Sequence, residues 1–315
     1  FKWLLKSERY ISMLQSTTNL VRDGQALRFA NIIQGNLPLP PYEEQASIAS
    51  YIDKKCAEID KAIDAAKAST EEYKLYKKSV IFQAVTKGLD PNVPMKDSGI
   101  EWTASLPSHW RIPRWKNVLS ERNKTNKEGE VKEILSLSAS QGVVPYSERV
   151  GGGNKAKEDL TAYKIAYAGD IVLNSMNVVS GSVALSAYDG CVSPVYYMYY
   201  PSNSKDDARY FNYVFQTTPF QLSLFGLGNG IMVKQSSTGK LNTVRMRISS
   251  STLNSLPLPY PPAGEQKEIS DFLDLKCIEI DRLINAKQQI VEELKAYKKS
   301  FIWETVTGKR EVSCL

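Results

Sequence analysis

The stretch Asp53-Lys54-Lys55-Cys56-Ala57-Glu58-Ile59-Asp60 returns as Asp274-Leu275-Lys276-Cys277-Ile278-Glu279-Ile280-Asp281. The match holds at a constant offset of 221, without a gap, from Glu44-Gln45 and Glu265-Gln266 to Thr86 and Thr307, with about half of the positions identical. Tyr76-Lys77-Lys78-Ser79 returns as Tyr297-Lys298-Lys299-Ser300, and Leu37-Pro38-Leu39-Pro40 before the first copy answers to Leu256-Pro257-Leu258-Pro259 before the second. Self-similarity of this length is a duplication. Neither copy contains Pro or an interior Gly. Ile48, Ile52, Ile59, Ile63, Ala66, Tyr73 and Val80 follow a 4-3 spacing with skips, as do Ile269, Leu273, Ile280, Ile284, Val291, Leu294 and Phe301. That period, with charged residues between, predicts one long helix per copy with a coiled-coil-type seam. Prolines fix the starts, and Gly88 and Gly308 fall at the ends. About 44 residues at ~1.5 Å each give roughly 65 Å, the dimension of a spacer. If the two seams pair, the second helix returns antiparallel to the first.

Between the copies the composition changes. Residues 107–255 are rich in Tyr, Val, Ser, Gly and Asn. Alternating runs at Ile134–Leu137, Ile171–Leu173, Ser182–Leu185 and Val195–Tyr200 predict strands, punctuated by Gly151-Gly152-Gly153-Asn154, Gly181, Gly190 and Gly228-Asn229-Gly230. Tyr210 to Leu224 reads as helical on one face. The expectation is one α/β domain of mostly β character.

Charge and composition narrow the function. The 315 residues suggest two domains or one large one, and 42% apolar residues permit a sizeable core. No apolar run reaches the ~18 residues of a membrane span, and the first residues lack a signal-peptide layout. Four dispersed cysteines and one histidine, His109, exclude a disulfide framework and the usual zinc sites, so a cytoplasmic setting is expected. Of the net charge of +6, residues 107–255 carry the whole excess, with 17 basic and 11 acidic side chains. From Ala208 to Gly264 there is no Asp or Glu, while Arg209, Lys234, Lys240, Arg245 and Arg247 lie within that stretch. Such a surface favours polyanions.

Leu-Pro-Leu-Pro-Pro is followed by Glu44-Gln45 and a helix, and the same arrangement runs through Pro261-Pro262-Ala263-Gly264-Glu265-Gln266. Ser98-Gly99-Ile100-Glu101-Trp102 continues to Leu106-Pro107-Ser108-His109-Trp110, and Gly169-Asp170-Ile171-Val172-Leu173 and Val192-Ser193-Pro194 follow. In these motifs the chain resembles the specificity subunits of type I restriction–modification systems. Each motif alone is soft; their order and the duplication together are specific. The family pattern is recognition domain, helix, recognition domain, helix. The resemblance therefore implies a remnant of a first recognition domain at 1–36, a first spacer helix at 37–90, a linker at 91–106, a complete target-recognition domain at 107–255 and a second spacer helix at 256–311. Phe1–Leu5 and Ile11–Leu14 resemble Tyr213–Phe215 and Phe220–Leu224, and Trp3, Leu4, Leu5 and Ile11 are expected to form a bare packing face.

The family resemblance implies double-stranded DNA as ligand, and as partners DNA methyltransferase subunits and a restriction–translocase subunit. S-adenosylmethionine, ATP and Mg would reside on those partners, and this chain would hold no cofactor and do no chemistry. The residues agree. Ser193-Pro194-Val195-Tyr196 lacks the second proline of an adenine-methylase signature, and neither a dinucleotide-binding glycine motif nor a complete phosphate loop occurs. Arg and Lys bridge guanine, and Asn and Gln bridge adenine, while other cations hold phosphate. The expected DNA contacts are Asn174, Asn177, Lys234, Gln235, Lys240 and Arg245. The strand Tyr196-Tyr197-Met198-Tyr199-Tyr200 offers rings for stacking, with alternation placing half of it in the core. Two other classes compete: a coiled-coil adaptor without DNA reading, and an enzyme in its own right. A homodimer through the helices is a further expectation.

Overall fold

The computed structural model describes residues 1–16, 20–21, 24–25, 33, 36–151, 156–231 and 245–312. In chain order the elements are α1 (Lys2–Leu5), α2 (Glu8–Ser16), β1 (Leu20–Val21), β2 (Gly24–Gln25), α3 (Tyr42–Lys87), β3 (Met95–Ile100), β4 (Thr103–Pro107), β5 (Leu119–Arg122), β6 (Leu135–Ser138), β7 (Gly142–Pro145), β8 (Lys164–Ala166), β9 (Ile171–Asn174), β10 (Val183–Leu185), β11 (Gly190–Val192), β12 (Tyr196–Pro201), α4 (Ala208–Gln216), α5 (Thr218–Ser223), β13 (Asn229–Ile231), β14 (Arg245–Arg247), α6 (Ser250–Ser255) and α7 (Ala263–Val306). The two duplicated segments are thus single helices of 46 and 44 residues. The chain divides into two compact units, Phe1–Leu75 with Glu279–Leu315, and Tyr76–Ile278.

In the first unit the helix seams meet as their spacing predicts. Ile52 and Cys56 of α3 pack with Phe301 of α7, and Ile59, Ile63 and Ala66 pack with Val291. Rising numbers on one helix meet falling numbers on the other, so the pair is antiparallel. Lys298 Nζ donates to both carboxylate oxygens of Asp60 at 2.6 Å. Asp60 is half exposed, so this bond adds little stability beside the seam. Trp3 packs against the Ile52–Phe301 cluster and its Nε1 donates to Asp53 Oδ1 at 3.1 Å. Leu4 is buried, whereas Leu5 and Ile11 are exposed. The bare face expected at Trp3, Leu4, Leu5 and Ile11 is therefore half covered, because α1 lays its apolar side on the helix pair.

The second unit uses the same helix contacts with the partners exchanged. Ile81, Ala84 and Val85 of α3 share a core with Ile269, Leu273 and Cys277 of α7. Ile269, Leu273 and Cys277 are the duplicates of Ile48, Ile52 and Cys56. That core also takes Trp110, Trp115 and the aromatic face of α4 and α5. The Trp115 ring stacks on Phe215 at 4.2 Å between centroids and meets Tyr199 edge-on at 4.9 Å. Tyr210 to Leu224, expected as one helical run, is two helices. Thr217 leaves helical geometry at ψ 135°, and Pro219 sits in the first turn of α5, where its missing N–H is harmless.

β10, β9, β12 and β5 form an antiparallel sheet in that order. Its two faces are both covered. Ile171, Leu173, Tyr197 and Tyr199 face the helical core, while Val172 and Met198 face a second core with Leu135, Leu137, Val143, Ala184 and Val192. Entry and exit of this region lie side by side: Arg111 and Tyr260 exchange backbone bonds at 3.1 and 3.0 Å, and Leu258 N donates to Pro113 O at 2.9 Å. Residues 91–106, expected as a linker, hold the β3–β4 hairpin. Gly99 turns it at φ +60°, and the buried Ser98 hydroxyl binds Ile100 N at 2.9 Å and the Thr103 carbonyl. Among the described residues no helix is long and apolar enough to cross a membrane, and no cluster of His, Cys, Asp and Glu is arranged to hold a metal.

Candidate nucleic-acid interface

The turn after β9 carries two of the expected DNA contacts. Asn174 pairs with Tyr196 in the β9–β12 ladder, is buried, and its Oδ1 accepts from Met176 N at 3.0 Å. Asn177 is half buried, and its carbonyl accepts from Ser180 N at 2.9 Å and Ser182 N at 3.1 Å. Gly181 closes the turn at φ +81°, where any side chain would also press on the Gln221 amide at 3.3 Å. Asn174 thus spends its carbonyl on shaping the turn, and Asn177 shapes it through its backbone.

Of the other expected contacts, Arg245 lies on a described strand, β14. β13 and β14 pair antiparallel, with Asn229 opposite Arg247 and Ile231 opposite Arg245. Arg245 is placed by its backbone in β14. Lys234, Gln235 and Lys240, in the segment between the two strands, lie outside the described residues.

Turn and hairpin meet at one joint. Ile248 N, one residue past β14, donates to Ser175 O at 3.0 Å, and Tyr197 OH donates to Ile248 O at 3.3 Å. The Ser175 hydroxyl in turn donates to Val195 O at 2.7 Å. The joint brings together two candidate groups that lie some seventy positions apart in the chain.

Lys164, near this joint, carries no signal in the sequence. Lys164 on β8 is half buried; its Nζ donates to Tyr196 O at 2.9 Å and lies 5.1 Å from the Tyr197 ring centre. Burial lowers its pKa below the ordinary lysine value; Glu121 opposes that shift, and the charge of Arg247 adds to it. Burial also pushes the Tyr196 phenol up, against the attraction of Arg149. Lys164 looks like any polar residue in a short alternating strand, which is why its position emerges only from the fold.

Two features anticipated for DNA serve the fold instead. Tyr197, Met198 and Tyr199 are all buried, since both faces of the sheet are covered, so simple alternation fails there. Arg209, in the carboxylate-free stretch, reaches Asp207, Asp271 and Asp274 at 2.6, 2.8 and 2.6 Å and ties α4 to α7. His109 Nε2 lies 2.8 Å from Glu265 Oε2, and Trp110 Nε1 donates to Glu265 Oε1 at 3.0 Å, which fixes the start of α7. Arg122 binds Asp170 through Nε and Nη2 at 2.8 and 3.1 Å, flanked by the Tyr167 and Tyr200 rings.

Residues 123–296, more than half of the chain, match the family model described as the type I restriction modification DNA specificity domain. A putative type I restriction enzyme MjaX specificity subunit of Methanocaldococcus jannaschii is 26% identical over 292 residues, covering 88% of this chain and 59% of that protein. The type I restriction enzyme EcoDI specificity subunit of Escherichia coli is 22% identical over 260 residues, covering 77% of this chain and 55% of that protein. The chain thus spans a little over half the length of these curated relatives. Among solved structures, a chain from a study of complex assembly and conformational transition in the type I R-M system superposes with a TM-score of 0.67 at 16% identity, covering 96% of this chain and 69% of that one. The HsdS subunit from Thermoanaerobacter tengcongensis gives a TM-score of 0.55 at 16% identity, covering 98% and 69%. At that identity the likeness is one of fold.

Proposed function

The chain belongs to the type I restriction modification DNA specificity domain family, and on that premise we propose that it is a sequence-specific DNA-recognition subunit. Residues 107–255 read double-stranded DNA, and the paired helices act as a spacer on which DNA methyltransferase subunits and a restriction–translocase subunit assemble. The chain itself is non-catalytic; S-adenosylmethionine, ATP and Mg belong to the partners. The observation that carries this reading is the Ser175–Ile248 joint. It sets the Asn-bearing turn beside the end of β14, the strand that carries Arg245 in a stretch without Asp or Glu.

The test is fluorescence anisotropy on the full chain with duplex DNA over a salt series. Each phosphate contact contributes ~0.9 to the slope of log affinity against log salt. The double variant Lys234→Ala/Lys240→Ala is expected to flatten the slope by roughly 1.8. Binding that is insensitive to salt, or unchanged in the double variant, would sink the assignment. Co-purification with a methyltransferase, followed by methylome sequencing, would give the target.

A further inference from the structure

The end of β14 is tied down at Ile248, which is fully buried in the helical core. Its N–H donates to Ser175 O at 3.0 Å, and its carbonyl accepts from Tyr197 OH at 3.3 Å. Tyr197 lies in β12 and Ser175 directly follows β9, both strands of the four-stranded sheet. β14 itself pairs with β13 and is not a strand of that sheet. Ser175 is also fully buried, and its hydroxyl donates to Val195 O at 2.7 Å, just before β12. Beyond Ile248 the chain is set as well, since Ser249 caps α6 by accepting from Thr252 N at 3.1 Å. Ser175, Tyr197 and Ile248 thus form a clasp between the sheet and the end of the strand that carries Arg245 and Arg247.

Packing does not require the Tyr197 hydroxyl. Tyr199, two positions along the same strand, is buried in the same core, and its hydroxyl has no hydrogen-bond partner among the described residues. A phenylalanine ring would fill either place. At position 197 the oxygen makes a bond, and that bond goes to the residue next to the exposed Arg247. We infer that Tyr197 is a positioning residue for base reading: its hydroxyl, with Ser175, holds the end of β14 in fixed register against the turn that carries Asn174 and Asn177. This deepens the DNA-recognition reading and rests on it. Base edges are told apart by donors and acceptors held at fixed spacing, whereas phosphate contacts carry no sequence information. Loosening the clasp therefore lowers selectivity and spares non-specific binding.

The experiment uses the full chain and a pool of duplexes with a randomised interior. Rounds of binding and amplification yield a selected duplex, and its scrambled version is the non-specific probe. Anisotropy over a potassium chloride series reads both. Tyr197→Phe is expected to bind the selected duplex about tenfold more weakly. Its affinity for the scrambled duplex, its salt slope and its melting temperature should stay close to wild type. Tyr199→Phe makes the same chemical change where the oxygen has no partner, and should bind both duplexes as the wild type does. Ser175→Ala frees the turn from Val195 and should reproduce the loss of selectivity; it carries the test if Tyr197→Phe does not fold. Equal loss on both duplexes overturns the positioning role, as does wild-type selectivity in both clasp variants. So does a loss in Tyr199→Phe that matches the one in Tyr197→Phe, because it would trace the effect to the core and not to the bond. These outcomes leave DNA recognition standing. A wild-type chain that enriches no duplex from the pool overturns the recognition reading and this inference with it.

Discussion

Replacing Asp170 with Asn removes a buried charge at the start of β9, in the four-stranded sheet's flank, with little change of shape. Asp170 is 2% exposed and takes both arms of the Arg122 fork, at 2.8 and 3.1 Å, together with Tyr167 N at 3.0 Å. In Asp170→Asn one oxygen becomes an amide donor facing a guanidinium donor. Breaking a buried pair on one side costs about 3–5 kcal/mol. Arg122 is 30% exposed and reaches water on one side, so a cost of ~2–3 kcal/mol is expected here. Hydrogen exchange read on peptides spanning 163–186 isolates this sheet from the rest of the chain. A loss of ~2 kcal/mol appears as roughly 30-fold faster exchange of the β9 amides. The double-mutant cycle with Arg122→Met then tests the cause. Each single variant should accelerate exchange, and the double variant should be hardly worse than either, giving a coupling near 2 kcal/mol. If Asp170→Asn accelerates exchange equally in the wild-type and Arg122→Met backgrounds, the ion pair is not what holds the sheet, and the Tyr167 turn is.

Ile52 and Leu273 are duplicates, each fully buried, so Ile52→Ala and Leu273→Ala should each cost about 2–5 kcal/mol but in different units. Exchange should rise in 45–75 and 279–306 for the first and in 76–87 and 263–278 for the second; equal loss in both units from either change would contradict the two-unit division. Gly190→Ala would put its Cβ 2.7 Å from Leu135 Cγ and 2.9 Å from the Glu133 carbonyl, and the backbone cannot yield as a side chain does. A cost of ~1–3 kcal/mol is expected, and an unchanged melting temperature would refute the tight β11 packing.

The helices were legible because their signal is periodic and is written twice. Of the fourteen seam residues named from spacing, Ile52, Ile59, Ile63, Ala66, Ile269, Leu273, Ile280, Ile284, Val291 and Phe301 are buried. The strands were legible within a residue or two at Leu135–Ser138, Ile171–Asn174, Val183–Leu185 and Tyr196–Pro201. What the sequence hid was the second face of the sheet. A strand covered on both sides loses its alternation, so Tyr197, Met198 and Tyr199 are all core. The linker reading of 91–106 missed a hairpin whose two strands are short and carry few apolar residues, Ile100 and Leu106 being buried in the core while the Ser98 hydroxyl bonds the turn. At the candidate site, residue type pointed to amides and lysines. Only folding showed that Asn174 is occupied by Met176, that Arg209 is occupied by three aspartates, and that Lys164 donates to the Tyr196 carbonyl.

The duplication also separates what a helix end must do from what its neighbour adds. Gln45 and Gln266 are equivalent, and each donates from Nε2 to the proline carbonyl five residues before it, Pro40 O at 2.8 Å and Pro261 O at 3.0 Å. This contact belongs to the helix start itself, and it survives in both copies. Asp53 and Asp274 are equivalent too, and each takes an aromatic donor and a cation. Asp53 binds Trp3 Nε1 at 3.1 Å and Lys2 at 3.5 Å; Asp274 binds Tyr213 OH and Arg209 at 2.6 Å. In each unit, then, a short helix docks on the same aspartate of a long one, α1 on α3 and α4 on α7. Glu44 and Glu265 differ. Glu265 grips His109 and Trp110, while Glu44 is exposed. The carboxylate is the same and the helix is the same, so the difference comes from the neighbouring segment. The helix pair supplies two equivalent seats by repetition, and the sequence beside each seat decides how much of it is used.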